Sequence, residues 1–176
     1  MSSNSHVAKL LARNLNHAKT HTPSPIIADV PVEGRAHTLI FCCADGRVDP
    51  AAVLGLKLTD AVVIRNAGCG MPRMINDFLI LDEVLDLKEV LIISHTDCGL
   101  THVQDVTIRE NLKKRALGRD EEIDNLHFGA FTDNFARVIS DVQYFRTHPL
   151  VRKELFNHTF GAVYDIESGK LTKVDV

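Results

Sequence analysis

The stretch Thr38-Leu-Ile-Phe-Cys-Cys43 is almost entirely apolar, and the same is true of Glu89-Val-Leu-Ile-Ile-Ser94 after its first residue. A third, shorter apolar run covers residues 61–64. Strands that are apolar on both faces, separated by helical segments, are typical of a parallel sheet covered by helices on both sides. The sequence therefore predicts an α/β fold with a mostly parallel central sheet flanked by helices.

The segments around these strands predict the rest of the fold. Helices are expected over residues 51–58, 72–87, 103–117, 131–147 and 149–157, and a terminal hairpin at the sheet edge over 159–166 and 170–176. Apolar residues also recur at helical spacing over residues 4–20, where Lys9, Arg13 and Lys19 occupy the other face. We expect one domain over residues 1–176, with an N-terminal helix and extended arm (1–36) and an α/β core (37–176).

Length and composition exclude several classes of function. The 176 residues carry a net charge of -3, only 6% of them are aromatic, and none is Trp, so nucleic acid is not an expected partner. The longest apolar run, residues 39–44, is too short to cross a membrane. We expect a cytoplasmic protein. Because the first acidic residue is Asp29 and the start is basic, a mitochondrial location is the alternative.

The four cysteines are too sparse for a disulfide scaffold, and Cys42 and Cys43 are adjacent. Their number favours a reducing compartment and a metal-binding or catalytic role. Cys43 ends the first predicted strand, and the third predicted strand ends just before a His-x-x-Cys sequence, His95 to Cys98. Parallel strands bring these ends to one edge of the sheet. Cys43, His95 and Cys98 are thus predicted to bind zinc, with a fourth position open.

Asp45 and Arg47 follow Cys43 at alternate positions, which project to one side of an extended chain. A guanidinium keeps a carboxylate ionised and fixes its orientation. Such a carboxylate can orient a water or hydroxide on the metal, while the simpler interpretation is an ion pair that stabilises the loop. In the second loop, Arg65 and Asn66 are expected to hold the chain through hydrogen bonds to its backbone, and Gly68 to allow a close approach.

Three motifs, Cys43-Ala-Asp-Gly-Arg47, Val63-Ile-Arg-Asn-Ala-Gly68 and His95-Thr-Asp-Cys-Gly99, resemble in type, order and separation those of the β-class carbonic anhydrases. The resemblance covers residues 41–101 and, more weakly, the segment 161–171. It implies one Zn²⁺ per subunit on the three ligands named above, and an Asp45–Arg47 catalytic dyad. It further implies hydration of CO2 to bicarbonate by zinc-bound hydroxide. It also implies a homodimer or a multiple of dimers, in which the N-terminal helix packs on the partner subunit.

Two departures bear on the substrate. Gly46 stands where the family usually has Ser, or Ala in some short members, and its missing side chain is expected to loosen the dyad. The short chain resembles a compact subgroup that includes carbonyl sulfide and carbon disulfide hydrolases, so carbonyl sulfide hydrolysis at the same zinc site is the alternative activity. Pocket positions are Gly46, Gly68, Cys69 and Gly99. Backbone N–H groups near Gly99 are expected to hold a product oxygen, and Cys69 either lines the pocket or packs in the core.

Two other interpretations stay open. A structural zinc module would need a fourth Cys or His ligand. Cys42 is the candidate, although its strand phase places it on the opposite face and favours core packing. His102, one turn beyond the third motif, is either a proton shuttle or an ordinary surface residue.

Overall fold

The computed structural model describes residues 5–176, which divide into two compact units, residues 5–33 and 34–176. The first unit contains helix α1 (His6–Ala18), whose N-terminus is capped by the side chain of Ser5 accepting a hydrogen bond from the Ala8 amide. No residue of α1 is buried. The helix was predicted from residue 4, which lies outside the described residues.

The second unit is built on a five-stranded sheet. In chain order its strands are β1 (Thr38–Cys43), β2 (Val62–Asn66), β3 (Glu89–His95), β4 (Thr159–Tyr164) and β5 (Leu171–Val174). Their order across the sheet is β2-β1-β3-β4-β5; the first four are parallel, and β5 runs antiparallel to β4. The predicted fold class and the terminal hairpin are thus confirmed. Because β1 lies between β2 and β3, the loops that follow these three strands meet at one edge.

Five further helices connect or follow the strands: α2 (Pro50–Leu54), α3 (Ile75–Leu85), α4 (Asp105–Arg115), α5 (Asp120–Asp124) and α6 (Asn134–Thr147). The helix predicted over 72–87 begins later, because Met71–Arg73 form a separate 3-10 turn. The segment predicted as a helix over 149–157 is 3-10 helix over Lys153–His158. The short helix α5 was not predicted, since its five residues are mostly acidic and show no apolar periodicity.

Helices α3 and α6 supply the main hydrophobic core on one face of the sheet. The rings of Phe78 and Phe145 meet edge to face with centroids 4.6 Å apart, and Phe41 of β1 lies beside Phe145. A β-carbon at Gly161 would stand 2.3 Å from Val138 Cγ1, so α6 packs directly on β4. Cys42 belongs to a separate, smaller cluster with Ile40 and Ile93, which agrees with its predicted strand phase. In residues 5–176, no helix combines the length and apolar character that a membrane crossing requires.

Candidate metal centre

Three potential metal ligands converge at the carboxyl edge of the sheet. Cys43 is the last residue of β1, His95 is the last residue of β3, and Cys98 follows three residues later in the loop. All three are buried, and one ligand atom from each lies within 4.8 Å of the others. Among the described residues this is the one group of three or more Cys, His, Asp or Glu side chains with such an arrangement.

The distances and the hydrogen bonding of this group fit a zinc ion. Zn–S bonds of about 2.3 Å in tetrahedral geometry place two thiolate sulfurs about 3.8 Å apart, and Cys43 Sγ lies 3.9 Å from Cys98 Sγ. The ring of His95 donates from Nδ1 to the carbonyl of Thr96 at 2.9 Å, which leaves the lone pair of Nε2 free. That Nε2 is buried and has no hydrogen-bond partner. A buried acceptor without a partner is costly, and a metal ion would satisfy it.

The surroundings of the two sulfurs favour negative charge on Cys43. Its Sγ accepts hydrogen bonds from the backbone N–H groups of Asp45 at 3.5 Å and Gly68 at 3.4 Å. The hydrogen bond with Cys98, together with these amides, lowers the pKa of Cys43, and the same bond raises the pKa of Cys98. Cys43 is therefore the sulfur that more readily becomes the thiolate. A divalent cation binds thiolates rather than thiols, so these surroundings suit a metal ligand.

The loop after β2 closes the site from the other side of β1. Gly68 has φ +70°, and a β-carbon there would come within 2.4 Å of Leu100 Cδ1. Only glycine combines this backbone conformation with the close approach that brings its N–H to Cys43. Arg65, as predicted, bonds to backbone: Nε donates to the Cys43 carbonyl at 2.9 Å, and Nη2 to the carbonyl of Asp45 at 2.7 Å. The side chain of Asn66 spans the turn through two hydrogen bonds with the backbone of Gly70.

Asp45 and Arg47 form a close ion pair beside the ligands. Nε of Arg47 lies 3.1 and 3.2 Å from the two carboxylate oxygens of Asp45, and Nη2 lies 2.7 Å from Oδ2. The Arg47 backbone N–H donates to Oδ1 at 2.9 Å. Hydrogen bonds from Arg47 hold the pKa of the Asp45 carboxyl well below its usual range. Asp45 is therefore ionised and has a fixed orientation.

The four predicted pocket positions differ in their surroundings. A β-carbon at Gly46 or at Gly99 would meet nothing within 4 Å, so space is open at both. The dyad is intact despite Gly46, which shows that no side chain is needed there to form it. Cys69 lies in the main hydrophobic core at 1% exposure, and burial raises the pKa of its thiol. Its position is that of a packing residue, which is one of the two roles left open by the sequence.

Other residues around the centre make contacts that the sequence did not predict. Asp97, between the two predicted ligands of the third motif, accepts a hydrogen bond from Arg47 Nη1 at 2.7 Å. Behind the β2 loop, Asp141 of α6 accepts from the Met71 amide at 3.3 Å and from Arg137 Nε at 2.6 Å. The Arg47–Asp97 and Met71–Asp141 contacts join residues 50 and 70 positions apart, so no local pattern reveals them, whereas Arg137 and Asp141 are an i,i+4 pair within α6. His102 donates from Nε2 to Asp97 Oδ1 at 2.8 Å and is largely exposed.

The fold and donor set together define an α/β protein in which three potential metal ligands meet at the carboxyl edge of the sheet. A family model described as carbonic anhydrase matches residues 38–171 of this chain. "Beta-carbonic anhydrase 1" from Mycobacterium tuberculosis is 30% identical over 168 residues, covering 93% of this chain and 94% of that protein. The chain belongs to the β-carbonic anhydrase family of enzymes, as its three motifs predicted.

A second relative has a name that refers to a different substrate. "Carbon disulfide hydrolase" from Acidithiobacillus thiooxidans is 29% identical over 157 residues, covering 75% of this chain and 74% of that protein. Among solved structures, carbonic anhydrase from Glaciozyma antarctica superposes with a TM-score of 0.80 at 28% identity, covering 99% of this chain and 100% of that one. Tetrameric β-carbonic anhydrases from Sordaria macrospora share the fold at 20% identity, covering 97% of this chain and 96% of that one, with a TM-score of 0.57.

Proposed function

We propose that this protein catalyses the reversible hydration of CO2 to bicarbonate and a proton, with one zinc ion held by Cys43, His95 and Cys98. The observation that carries this proposal is the buried, unpartnered Nε2 of His95 beside two sulfurs at zinc-ligand separation. No fourth Cys, His, Asp or Glu of residues 5–176 joins the group. Three protein ligands and an open fourth position are typical of catalytic zinc sites.

Asp45, Arg47 and Gly99 hold the reacting groups in position. When bound, zinc would lower the pKa of water to about 7 and so supply hydroxide at neutral pH. Ionised Asp45 accepts a hydrogen bond from the attacking oxygen, which turns a lone pair of that oxygen toward the carbon of CO2. Arg47 keeps this carboxylate ionised and correctly oriented. The backbone N–H of Gly99, next to Cys98, is assigned to a product oxygen, and a β-carbon at this position would meet nothing within 4 Å.

A structural zinc module is less well supported. Such sites fill all four positions with Cys or His. Cys42, the candidate fourth ligand, is packed with Ile40 and Ile93 in a hydrophobic cluster. Burial raises the pKa of its thiol to about 11, which disfavours the thiolate that a metal needs.

Carbonyl sulfide is the second candidate substrate, giving H2S and CO2 upon addition of water at the same centre. One observation favours it: a relative carries the name carbon disulfide hydrolase. Both substrates are linear and present an electrophilic carbon, so the dyad and ligands serve either reaction. The order of preference remains CO2 first.

The test compares both substrates on one preparation of zinc-loaded protein. CO2 hydration is followed by stopped-flow with a pH indicator, and carbonyl sulfide turnover by sulfide release. We expect rapid CO2 hydration, and at least about a 100-fold loss in Asp45→Asn with zinc retained. Asp124→Asn removes an exposed carboxylate paired with Lys113 and should match wild type. Negligible hydration with rapid sulfide release would reverse the order of substrates, and an active Asp45→Asn would exclude the dyad mechanism.

Assembly and location are proposed on separate grounds. We propose a homodimer, or a multiple of dimers, in which α1 packs on the partner subunit and residues 1–176 act as one domain. In support, α1 exposes four apolar side chains, namely Val7, Leu10, Leu11 and Leu15. Sedimentation of wild type and Leu11→Lys tests this, since a monomeric wild type would contradict it. All four cysteines are free, which supports a cytoplasmic, reducing location.

A further inference from the structure

Arg47 contacts a second carboxylate besides Asp45. Its Nη1 lies 2.7 Å from Asp97 Oδ2, and its Nη2 lies 2.9 Å from the Asp97 carbonyl oxygen. Together with the bonds to Asp45, four of the five guanidinium N–H groups have acceptors. Arg47 is thus held between the loop after β1 and the loop after β3.

The backbone of Asp97 is suited to this double contact. Its φ of +53° lies in the left-handed region, which Asp and Asn enter more readily than most residues. In this conformation both the carbonyl and the carboxylate of Asp97 reach the same guanidinium. The remaining carboxylate oxygen, Oδ1, accepts from Nε2 of His102 at 2.8 Å. The four side chains therefore form a continuous series from Asp45 through Arg47 and Asp97 to His102.

Because the Arg47 side chain is exposed, its contact with Asp97 is needed to hold it in one orientation. The side chain of Arg47 is 49% exposed, while that of Asp45 is 20% exposed. A single exposed ion pair does not immobilise a long side chain, whereas a multidentate network with several acceptors does. Asp97 supplies the additional acceptors from the loop after β3, 50 residues from Arg47 along the chain.

We propose that Asp97 is a positioning residue that holds Arg47, and through it the Asp45 carboxylate, in the orientation used by the reaction. Asp97 does not contact the reacting atoms in this role. The proposal rests on the proposed function for its catalytic consequence, but its structural part concerns only the order of the Arg47 side chain.

Variants are chosen to keep the left-handed backbone. Asp97→Gly removes the side chain at no conformational cost, and Asp97→Asn retains an acceptor without the charge. Asp86→Gly is the matched control, because Asp86 also has a φ of +50°, is 52% exposed and pairs with a cation, Lys88, away from the metal centre. We expect CO2 hydration to fall about tenfold in Asp97→Gly, with a smaller loss in Asp97→Asn and none in Asp86→Gly. Zinc content should remain at one equivalent in all three.

A double-mutant cycle separates positioning from a general structural role. If Asp97 acts through Arg47, Asp97→Gly should cost less than twofold in an Arg47→Ala background. The second readout is the NMR signal of the Arg47 Nε–H group in zinc-loaded protein, assigned from its absence in Arg47→Lys. We expect a sharp, shifted signal in wild type and in Asp86→Gly, and an exchange-broadened or unshifted signal in Asp97→Gly.

Each result decides between the alternatives. An unchanged Arg47 signal in Asp97→Gly, an additive loss in the Arg47→Ala background, or loss of zinc from Asp97→Gly would overturn the proposal. If wild type proves inactive on both CO2 and carbonyl sulfide, the proposed function fails by itself. The NMR comparison, which needs no turnover, then still confirms or rejects the role of Asp97 in ordering Arg47.

Discussion

The sulfur atoms of Cys43 and Cys98 lie 3.9 Å apart, although 55 residues separate them in the chain. The pairing of β1 with β3 brings them together, with Cys42 opposite Ile93 in the register. Two sulfurs at this distance match the separation of two thiolates bound to one zinc ion. This geometry assigns Cys43 and Cys98, rather than Cys42, as the thiolate ligands.

Cys43→Ser should lose zinc, whereas Cys42→Ala should keep one equivalent. These residues are adjacent, yet Cys43 faces His95 and Cys98 while Cys42 packs with Ile40 and Ile93. Elemental analysis of both purified variants checks the prediction. Zinc retained in Cys43→Ser, or lost from a folded Cys42→Ala, would contradict the assignment of ligands.

Removal of the metal should destabilise the protein as well as inactivate it. A folded-state ligand raises the free energy of unfolding by mass action, and an empty site leaves His95 Nε2 buried without a partner. Thermal unfolding after chelation should show a lower Tm that added zinc restores. Cys43→Ser serves as the control, since chelator should not shift its Tm further. Equal Tm values for chelated and zinc-loaded wild type would argue against the site.

Gly68→Ala should destabilise the protein and weaken zinc binding. The added methyl would face Leu100 at 2.4 Å, on a backbone with φ +70°. The left-handed conformation costs about 1–2 kcal/mol and the overpacking about another 1–3 kcal/mol. Gly118→Ala, at φ +79° with nothing within 4 Å, isolates the first cost. The free energy of unfolding measured in urea should therefore fall more in Gly68→Ala than in Gly118→Ala. Combining Gly68→Ala with Leu100→Ala should recover part of that lost stability.

Gly46→Ala should leave both stability and CO2 hydration close to wild type, within about 0.5 kcal/mol in the free energy of unfolding. A β-carbon there meets nothing within 4 Å, and the dyad already forms without it. If the space at this position admits sulfur, Gly46→Val should reduce carbonyl sulfide turnover more than CO2 hydration. If Gly46→Val reduces both activities equally, Gly46 does not help to select between the two substrates.

The buried ion pair Arg137–Asp141 should stabilise the protein, and the cost of removing Arg137 should depend on pH. Arg137→Met leaves the Asp141 carboxylate unpaired at 6% side-chain exposure, which should cost about 3–5 kcal/mol at neutral pH. Burial raises the pKa of Asp141 even though Arg137 opposes it, and removing Arg137 should raise it further. Protonation of Asp141 then removes the unpaired charge. The loss in free energy of unfolding caused by Arg137→Met should therefore become smaller as pH falls through that raised pKa. Arg119→Met, in an exposed pair with Glu122, should show neither effect.

The strands and the candidate metal ligands could be predicted from the sequence because both signals are local in character. Uninterrupted apolar runs mark β1 and β3, and Cys43 and His95 are the last residues of these two strands. Parallel pairing then brings Cys43 to the His95 loop without further information. The 3-10 turn at Met71–Arg73 was missed, because its boundary with α3 depends on how the β2 loop packs rather than on its own residues.

The sequence by itself determined the α/β class, the family and the three donor residues, since each follows from residue type, spacing and order along one chain. Only the tertiary structure decided the contacts of the residues around those donors. Arg47 lies between Asp45 and Asp97, Gly68 lies against Leu100, and Cys69 lies in the core rather than at an opening. These relationships join segments up to 50 residues apart. They depend on the strand order and on packing at the sheet edge, which no spacing within a single loop encodes.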